Sequence, residues 1–275
     1  MSELILLKLG GSVITDKNQP YTAREDVIRH LGREIRQALD GRPDLHLILG
    51  HGSGSFGHTV AQEYGTRQGV LGAGEFEKRR SWSGYVETAA AAARLNRLVT
   101  DTLLEQGVPV VSYQPSASAR CRRGELMYFD THPLKQVLEA GLVPLIYGDV
   151  AIDAVQGFTI ISTEQIFDNI ARELQPARII LAGIVDGVYD GDPLTKAGAS
   201  CYSEITLDNW EEVEVALGGS HGTDVTGGMF SKVRDMYHLV LAQPPLQVHI
   251  VSGEVPGHVL SVLSGSEKGI GTLIY

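Results

Sequence analysis

Apolar runs of strand length alternate with segments of helical period along almost the whole chain, and no other feature restricts the fold as much. Strands are expected over Leu4–Leu9, Leu45–Leu49, Val108–Val111, Leu142–Tyr147, Arg178–Ala182, Gln247–Val251 and Gly271–Tyr275. Helices are expected over Arg24–Leu39, Ser83–Gln106, Thr163–Leu174, Gly227–Leu241 and Val255–Leu263. One further helix is capped by Asp130 or Thr131, carries Pro133 in its first turn and stops at Gly141. Residues 116–130, around Arg122-Arg123-Gly124-Glu125, read as a hairpin, a second hairpin-like stretch ends at Ile161, and Gly183–Ser203 reads as a loop. Strands joined through helices run largely parallel, because each helix crosses a face of the sheet to reach the next strand. The expected class is α/β, a largely parallel sheet covered by helices. A division is expected near residue 165, giving an N-terminal lobe (residues 1–165) and a C-terminal lobe (residues 166–275).

The 275 residues include 23 Lys plus Arg and 33 Asp plus Glu, a formal charge of −10. That balance gives no basic footprint for nucleic acid or for an anionic membrane. The apolar runs fall far short of the roughly 18 residues that suggest a membrane span. Met1-Ser2-Glu3-Leu4 enters a strand pattern without a basic leader, so no signal peptide is expected. Cys121 and Cys201 have no metal-ligand spacing and read as structural thiols in a reducing cytoplasm; no metal-ligating residue is expected. Glycine supplies 32 residues, well above the usual roughly 7%. The glycines cluster in short loops, which points to backbone held close to a ligand.

Three of these loops lie at ligand edges of the expected sheet. The first is Lys8-Leu9-Gly10-Gly11-Ser12, where a strand ends in two glycines flanked by Lys and Ser. Backbone N–H groups in such a turn face anions and Lys8 adds a full charge; a plain strand-to-loop turn fits the same residues. The second is Gly50 to His58, with four glycines in eight positions before a helix start. The free N–H groups of that start favour an anion beside His58, although a packed or exposed histidine fits too. The third is Asp224 to Lys232, a helix start with Gly227 and Gly228 and a Lys one turn in. Lys232 reads equally as a phosphate contact or as a surface lysine.

Together these segments resemble the amino acid kinase superfamily, and most closely the isopentenyl phosphate kinase family. The resemblance rests on Lys8-Leu9-Gly10-Gly11-Ser12-Val13-Ile14-Thr15-Asp16-Lys17, Gly52-Ser53-Gly54-Ser55-Phe56-Gly57-His58, Tyr147-Gly148-Asp149-Val150, Val185-Asp186-Gly187-Val188-Tyr189, and Gly227-Gly228-Met229 with Lys232. The five pieces occur in the family's order and span almost the whole chain, and the element ending in His58 separates phosphate acceptors from amino-acid acceptors. The resemblance implies an open αβα sandwich and transfer of phosphate from ATP, with Mg²⁺, to isopentenyl phosphate. It also implies a homodimer, with the acceptor in the N-terminal lobe and the nucleotide in the C-terminal lobe. By position it assigns Lys8, Lys17, His58 and Lys232 to catalysis. Nucleotide contacts fall to Lys8, Leu9, Gly10, Gly11, Ser12, Gly54, Asp186, Gly228 and Lys232. Acceptor contacts fall to Ser53, Gly54, His58 and Gly148.

The chemistry of such an acceptor agrees with those residue types. A phosphate monoester has a second pKa of about 6 and is mostly a dianion at pH 7. No side chain need remove a proton, so the site calls for cations and donors that bring two anions into line. His58 then orients the acceptor and is not a base. Two positions depart from the family pattern. Thr163-Glu164 replaces the usual Gly-Asp, keeping the charge on a side chain one methylene longer. Gly183-Ile184-Val185-Asp186-Gly187 replaces Thr-Asp-Val-Asp-Gly, losing the first acid to Ile184; Asp186 also fits a turn residue. Phe76, Trp82, Tyr85 and Val86 are candidates for the wall of an apolar tail pocket, although each fits plain core more readily. Arg120, Arg122 and Arg123 form a solvated hairpin tip or a cover for the phosphate. Two other readings stay open: a kinase of another phosphate or phosphonate, such as a fosfomycin kinase, and a non-catalytic nucleotide- or anion-binding protein. Retention of Lys8, Lys17 and Lys232 speaks against the last.

Overall fold

β1 (Glu3–Leu9) sits centrally in the main sheet, and the chain winds outward from it in both directions. The computed structural model describes residues 3–72, 74–191, 193, 196, 198–218, 229–266 and 269–275. After β1 come α1 (Gly11–Ile14), α2 (Glu25–Gly41), β2 (Leu45–His51), α3 (Gly54–Tyr64) and α4 (Glu75–Glu105). Next are β3 (Val110–Ser112), β4 (Arg120–Arg122), β5 (Glu125–Tyr128), α5 (His132–Glu139), β6 (Val143–Tyr147), β7 (Asp149–Asp153) and β8 (Gly157–Ile161). The remainder holds α6 (Thr163–Leu174), β9 (Arg178–Gly183), β10 (Val188–Tyr189), β11 (Cys201–Tyr202), β12 (Glu204–Ile205), α7 (Trp210–Gly218), α8 (Met229–Ala242), β13 (Gln247–Ser252), α9 (His258–Leu263) and β14 (Thr272–Ile274).

The main sheet runs β12-β14-β13-β9-β1-β2-β6-β3, and its pairs are parallel except β13–β14. A smaller sheet, β5-β4-β7-β8, carries both hairpins. β1 pairs with β2 on one side and β9 on the other, so the winding reverses at β1. A crevice opens at such a reversal, outside the carboxyl ends of the strands.

Side-chain alternation sends each strand's residues to two cores. Leu6, Ile48, Ile146, Leu181 and Ile250 pack with α5, α6 and α8 on one face. Ile5, Leu7, Leu49, Leu145 and Val251 pack with α2, α4 and α9 on the other. Each fully buried Leu or Ile contributes about 1.5–3 kcal/mol, which makes the strand register costly to shift. The register also aims the polar residues at the strand ends. Lys8 follows Leu6 toward α6 and α8, while His51 follows Leu49 toward α4.

The αβα architecture matches the expectation, with differences in detail. α4 begins at Glu75, eight positions before the expected Ser83, and runs through Gly84. A Cβ at Gly84 would come within 2.3 Å of Tyr64 Cβ, so this glycine is a contact point between α3 and α4 and not a stop. α1 is a helical turn where a loop was expected. α7 was not anticipated, because its buried residues are few in an acidic stretch; Trp210 anchors it by stacking on Tyr237 of α8 at 4.0 Å. Gly227 and Gly228, expected to open the helix before Lys232, lie outside the described residues.

Candidate active site

The loops after β1 and β2 are in direct backbone contact. A Cβ at Gly11 would stand 2.6 Å from Gly54 N and 2.8 Å from Gly54 Cα. Gly54 itself has φ +48°, a conformation glycine reaches without a side-chain penalty. The first loop is fastened to its neighbours by Gly10 N–H to Ala182 O (2.8 Å) and by Gly52 N–H to Leu9 O (3.2 Å). Val13 and Ile14 return their N–H groups to Gly10 O, and helix geometry leaves the Gly11 and Ser12 N–H groups without carbonyl partners in their own turn.

Lys8 enters the crevice from the α6 side. Its Nζ is ion-paired with Glu164, which lies in the first turn of α6. That turn is fixed by a capping box in which Ser162 Oγ accepts from Gln165 N–H (3.1 Å) and Gln165 Oε1 accepts from Ser162 N–H (2.9 Å). Burial lowers the Lys8 ammonium from its usual value, Glu164 opposes that, and Lys232 of α8 lowers it further. Burial raises the Glu164 carboxyl, but Lys8 and Lys232 outweigh it and hold the group below the usual carboxylate value. Lys8 and Glu164 form an ion pair, and the charge of the exposed Lys232 acts on both.

Lys17 belongs to a second region of the crevice. A cleft of about 300 Å³ is lined by Ser12, Thr15, Asp16, Lys17, Asn18, Arg24 and Ile184. It brings the turn after α1 against the loop after β9, so Ile184 faces Ser12 and Lys17. Asp186 is exposed and accepts from Tyr189 Oη at 2.5 Å, within its own loop. A larger cleft, about 400 Å³, lies by the hairpins between Arg67, Gln68, Arg123 and Gln156 and includes none of the expected site residues.

α3 carries the acceptor candidates. Ser53 precedes it with its side chain over Gly57, where a Cβ would come within 2.4 Å of Ser53 Oγ. His58 is exposed one turn into α3. Gly148 is buried, and its N–H donates to His51 O at 3.0 Å. Its backbone can offer close approach or its carbonyl, because its donor is engaged.

Several residues behind the loops carried no expectation. His51 is fully buried and stacks on Tyr147 at 5.6 Å. Its Nδ1 lies 3.1 Å from Gly52 O and its Nε2 3.2 Å from Asn96 Oδ1. A carbonyl can only accept, so Nδ1 carries the proton. Burial lowers this ring from the usual histidine value, its two hydrogen bonds oppose that, and Lys8 lowers it again. The ring holds Gly52 through its carbonyl and reaches α4 through Asn96. Thr163 Oγ1 donates to His51 O at 2.6 Å and ties α6 to the same strand end. Asn96 was the readable signal, a polar residue on the buried side of an alanine-rich helix.

Of the expected tail-pocket residues, Trp82 and Tyr85 meet Phe158 at 4.7 and 5.3 Å, while Trp82, Phe76 and Val86 are all exposed, Trp82 least. Burial raises the Tyr85 hydroxyl, Asp149 raises it too, and Arg120 opposes both. Arg120, Arg122 and Arg123 are all exposed. Among the described residues, no group of three or more His, Cys, Asp and Glu could hold a metal ion, and no helix is long and apolar enough to cross a membrane.

A doubly wound sheet whose central strand ends in a lysine and two glycines, with further lysines converging on that end, defines a phosphoryl-transfer protein. A model described as the amino acid kinase family matches residues 3–252, and the chain belongs to that family. Within it the chain belongs with the isopentenyl phosphate kinases. An isopentenyl phosphate kinase of Methanothermobacter thermautotrophicus is 38% identical over 96% of each chain. One of Methanocaldococcus jannaschii is 35% identical over 97% of each. A solved structure described as "X-ray structures of isopentenyl phosphate kinase" superposes with a TM-score of 0.83 at 34% identity, covering 99% of this chain and 100% of that one.

Proposed function

We propose that this protein transfers the γ-phosphoryl group of ATP to isopentenyl phosphate, forming isopentenyl diphosphate and ADP. The observation that carries the reading is the largely buried Lys8–Glu164 ion pair at the end of β1, whose following loop touches the loop after β2 at Gly11 and Gly54. Relatives named for this reaction, similar over nearly their full length, support it.

The donor's phosphates lie over the Gly10–Ser12 turn, against Lys8, Lys17 and Lys232, with Asp186 and Gly228 completing the nucleotide contacts. The acceptor phosphate lies at the start of α3, with Ser53, Gly54, Gly148 and His58 around it. Residues 1–165 hold the acceptor and meet the donor's phosphates at the Gly10–Ser12 turn, and 166–275 hold the rest of the nucleotide. The acceptor's apolar tail lies against Trp82, Tyr85 and Phe158. The acceptor dianion attacks the γ-phosphorus directly, and the lysines and backbone N–H groups neutralise charge on the equatorial oxygens. His58 donates to an acceptor oxygen and fixes its direction of approach.

Mg²⁺ enters with the nucleotide. Glu164 is engaged by Lys8 and no described carboxylate cluster is available. The residues therefore suit an ion held by phosphate oxygens and water, as Mg²⁺ commonly is. Bound there, it would supply positive charge against the donor's phosphates. The working unit is a homodimer in a reducing cytoplasm, consistent with two free thiols, Cys121 and Cys201.

The test is ADP release with isopentenyl phosphate and a panel of phosphonates. Turnover of isopentenyl phosphate in preference to the others is expected. Turnover of a phosphonate such as fosfomycin without isopentenyl phosphate overturns the acceptor assignment, and tight ATP binding with no turnover overturns the enzyme.

A further inference from the structure

Thr15 joins the two glycine loops through one hydroxyl. It caps the end of α1 and is 1% exposed. Its Oγ1 donates to Gly11 O at 2.6 Å and accepts from Ser55 N–H at 3.0 Å. A hydroxyl has one proton, and a carbonyl can only accept. The proton therefore goes to Gly11, and toward Ser55 the oxygen can only accept. Both directions are fixed, and the β-branched side chain has little freedom to leave them. Thr15 is held from its own side by Thr15 N–H to Gly11 O (3.0 Å) and by a bridge to Ala23.

We propose that Thr15 is a positioning residue for phosphoryl transfer, its hydroxyl fixing the separation between the nucleotide loop Gly10–Ser12 and the acceptor helix α3. This rests on the reading of the site given above. A Cβ at Gly54 would stand 2.1 Å from Thr15 Oγ1, so the hydroxyl itself limits how closely the two loops approach. It also selects which donor faces the junction. Of the first N–H groups of α3, Ser55 is taken by Thr15, while Phe56 and Gly57 return to Ser53 O at 3.1 and 3.2 Å. Gly54 N–H, lying against Gly11, is left without a partner among the described residues. In-line transfer needs the reacting atoms about 3–3.5 Å apart, and a shift of about 1 Å can cost about 100-fold in rate. A clamp between donor and acceptor loops acts on that distance without touching either substrate.

The experiment compares full-length wild type, Thr15→Val and Thr15→Ser. Valine keeps the shape and removes both bonds; serine keeps both bonds. At saturating ATP and isopentenyl phosphate, Thr15→Val is expected to lose at least about tenfold in kcat. Calorimetric affinity for a non-hydrolysable ATP analogue should stay within about twofold, and Thr15→Ser should stay within about twofold of wild type in both. Without ligands, the Ser55 amide should exchange its hydrogen at least about tenfold faster in Thr15→Val than in wild type or Thr15→Ser. Wild-type kcat in Thr15→Val, equal losses in Val and Ser, or a rate loss matched by lost nucleotide affinity each overturn the proposal. Should Thr15→Val not fold, Thr15→Ala takes its place with the same expectations. A Ser55 amide that is unprotected in wild type overturns the proposal without any variant. If wild type fails to phosphorylate isopentenyl phosphate, the functional reading falls, and the exchange comparison still decides whether the hydroxyl holds α3.

Discussion

Glu164 is ion-paired to Lys8 across 156 positions of sequence, from the first turn of α6 to the carboxyl end of β1. The pair is largely buried, with the side chains 13% and 10% exposed. The charge of Lys232 also acts on Glu164 and, with Lys8, holds its carboxyl below the usual value.

Glu164→Gln leaves Lys8 buried without its ion-pair partner. Breaking a buried pair costs about 3–5 kcal/mol, and urea unfolding at pH 7 should lose that order of stability, with kcat falling as well. The folded-state carboxyl is held below its unfolded value of about 4.3. Its contribution is full above that value and is lost as pH falls through the folded one. Wild-type and variant midpoints should converge in acid, and a gap unchanged from pH 7 to pH 3 would contradict the assignment.

His58→Ala removes a charge-assisted donor to the acceptor phosphate, worth about 1.5–3 kcal/mol. Steady-state kinetics should register that loss in kcat/KM for isopentenyl phosphate while KM for ATP changes little. Gln or Asn should recover some of it. Wild-type kinetics in the alanine variant would remove His58 from the site.

Lys17→Ala should lower kcat more than it raises KM, because the charge acts on the group in transit. Its exposed place beside Ser12 predicts little change in melting temperature. An unchanged kcat takes Lys17 out of the mechanism.

Gly54→Ala forces a side chain into a left-handed residue and against Thr15 Oγ1 and Gly11 O. Such strain costs of order 1–3 kcal/mol, and the loops must separate to admit the methyl group. A lower melting temperature with a disproportionate loss of turnover is expected. A variant as stable and active as wild type would show that the contact is unnecessary.

The alternating pattern made the sheet and its covering helices legible, because β1 buries side chains on both faces and tolerates little else. The glycines marked the loops that meet at Gly11 and Gly54. The residues that hold those loops were not legible. Thr15 stands within the first glycine motif, but nothing local says that its hydroxyl reaches Ser55 forty positions on. His51 reads as one more residue between glycines until the strand register aims it at Asn96. α7 stayed hidden because its packing depends on Trp210 finding Tyr237, a contact made after the chain returns through α8.

β1 is bonded edge to edge with β2 on one side and β9 on the other. A swing of one half of the molecule against the other would tear one of those ladders along its length. The floor beneath the reactants is therefore a rigid plate. Any opening for entry and release is left to the helices and turns standing above its rim.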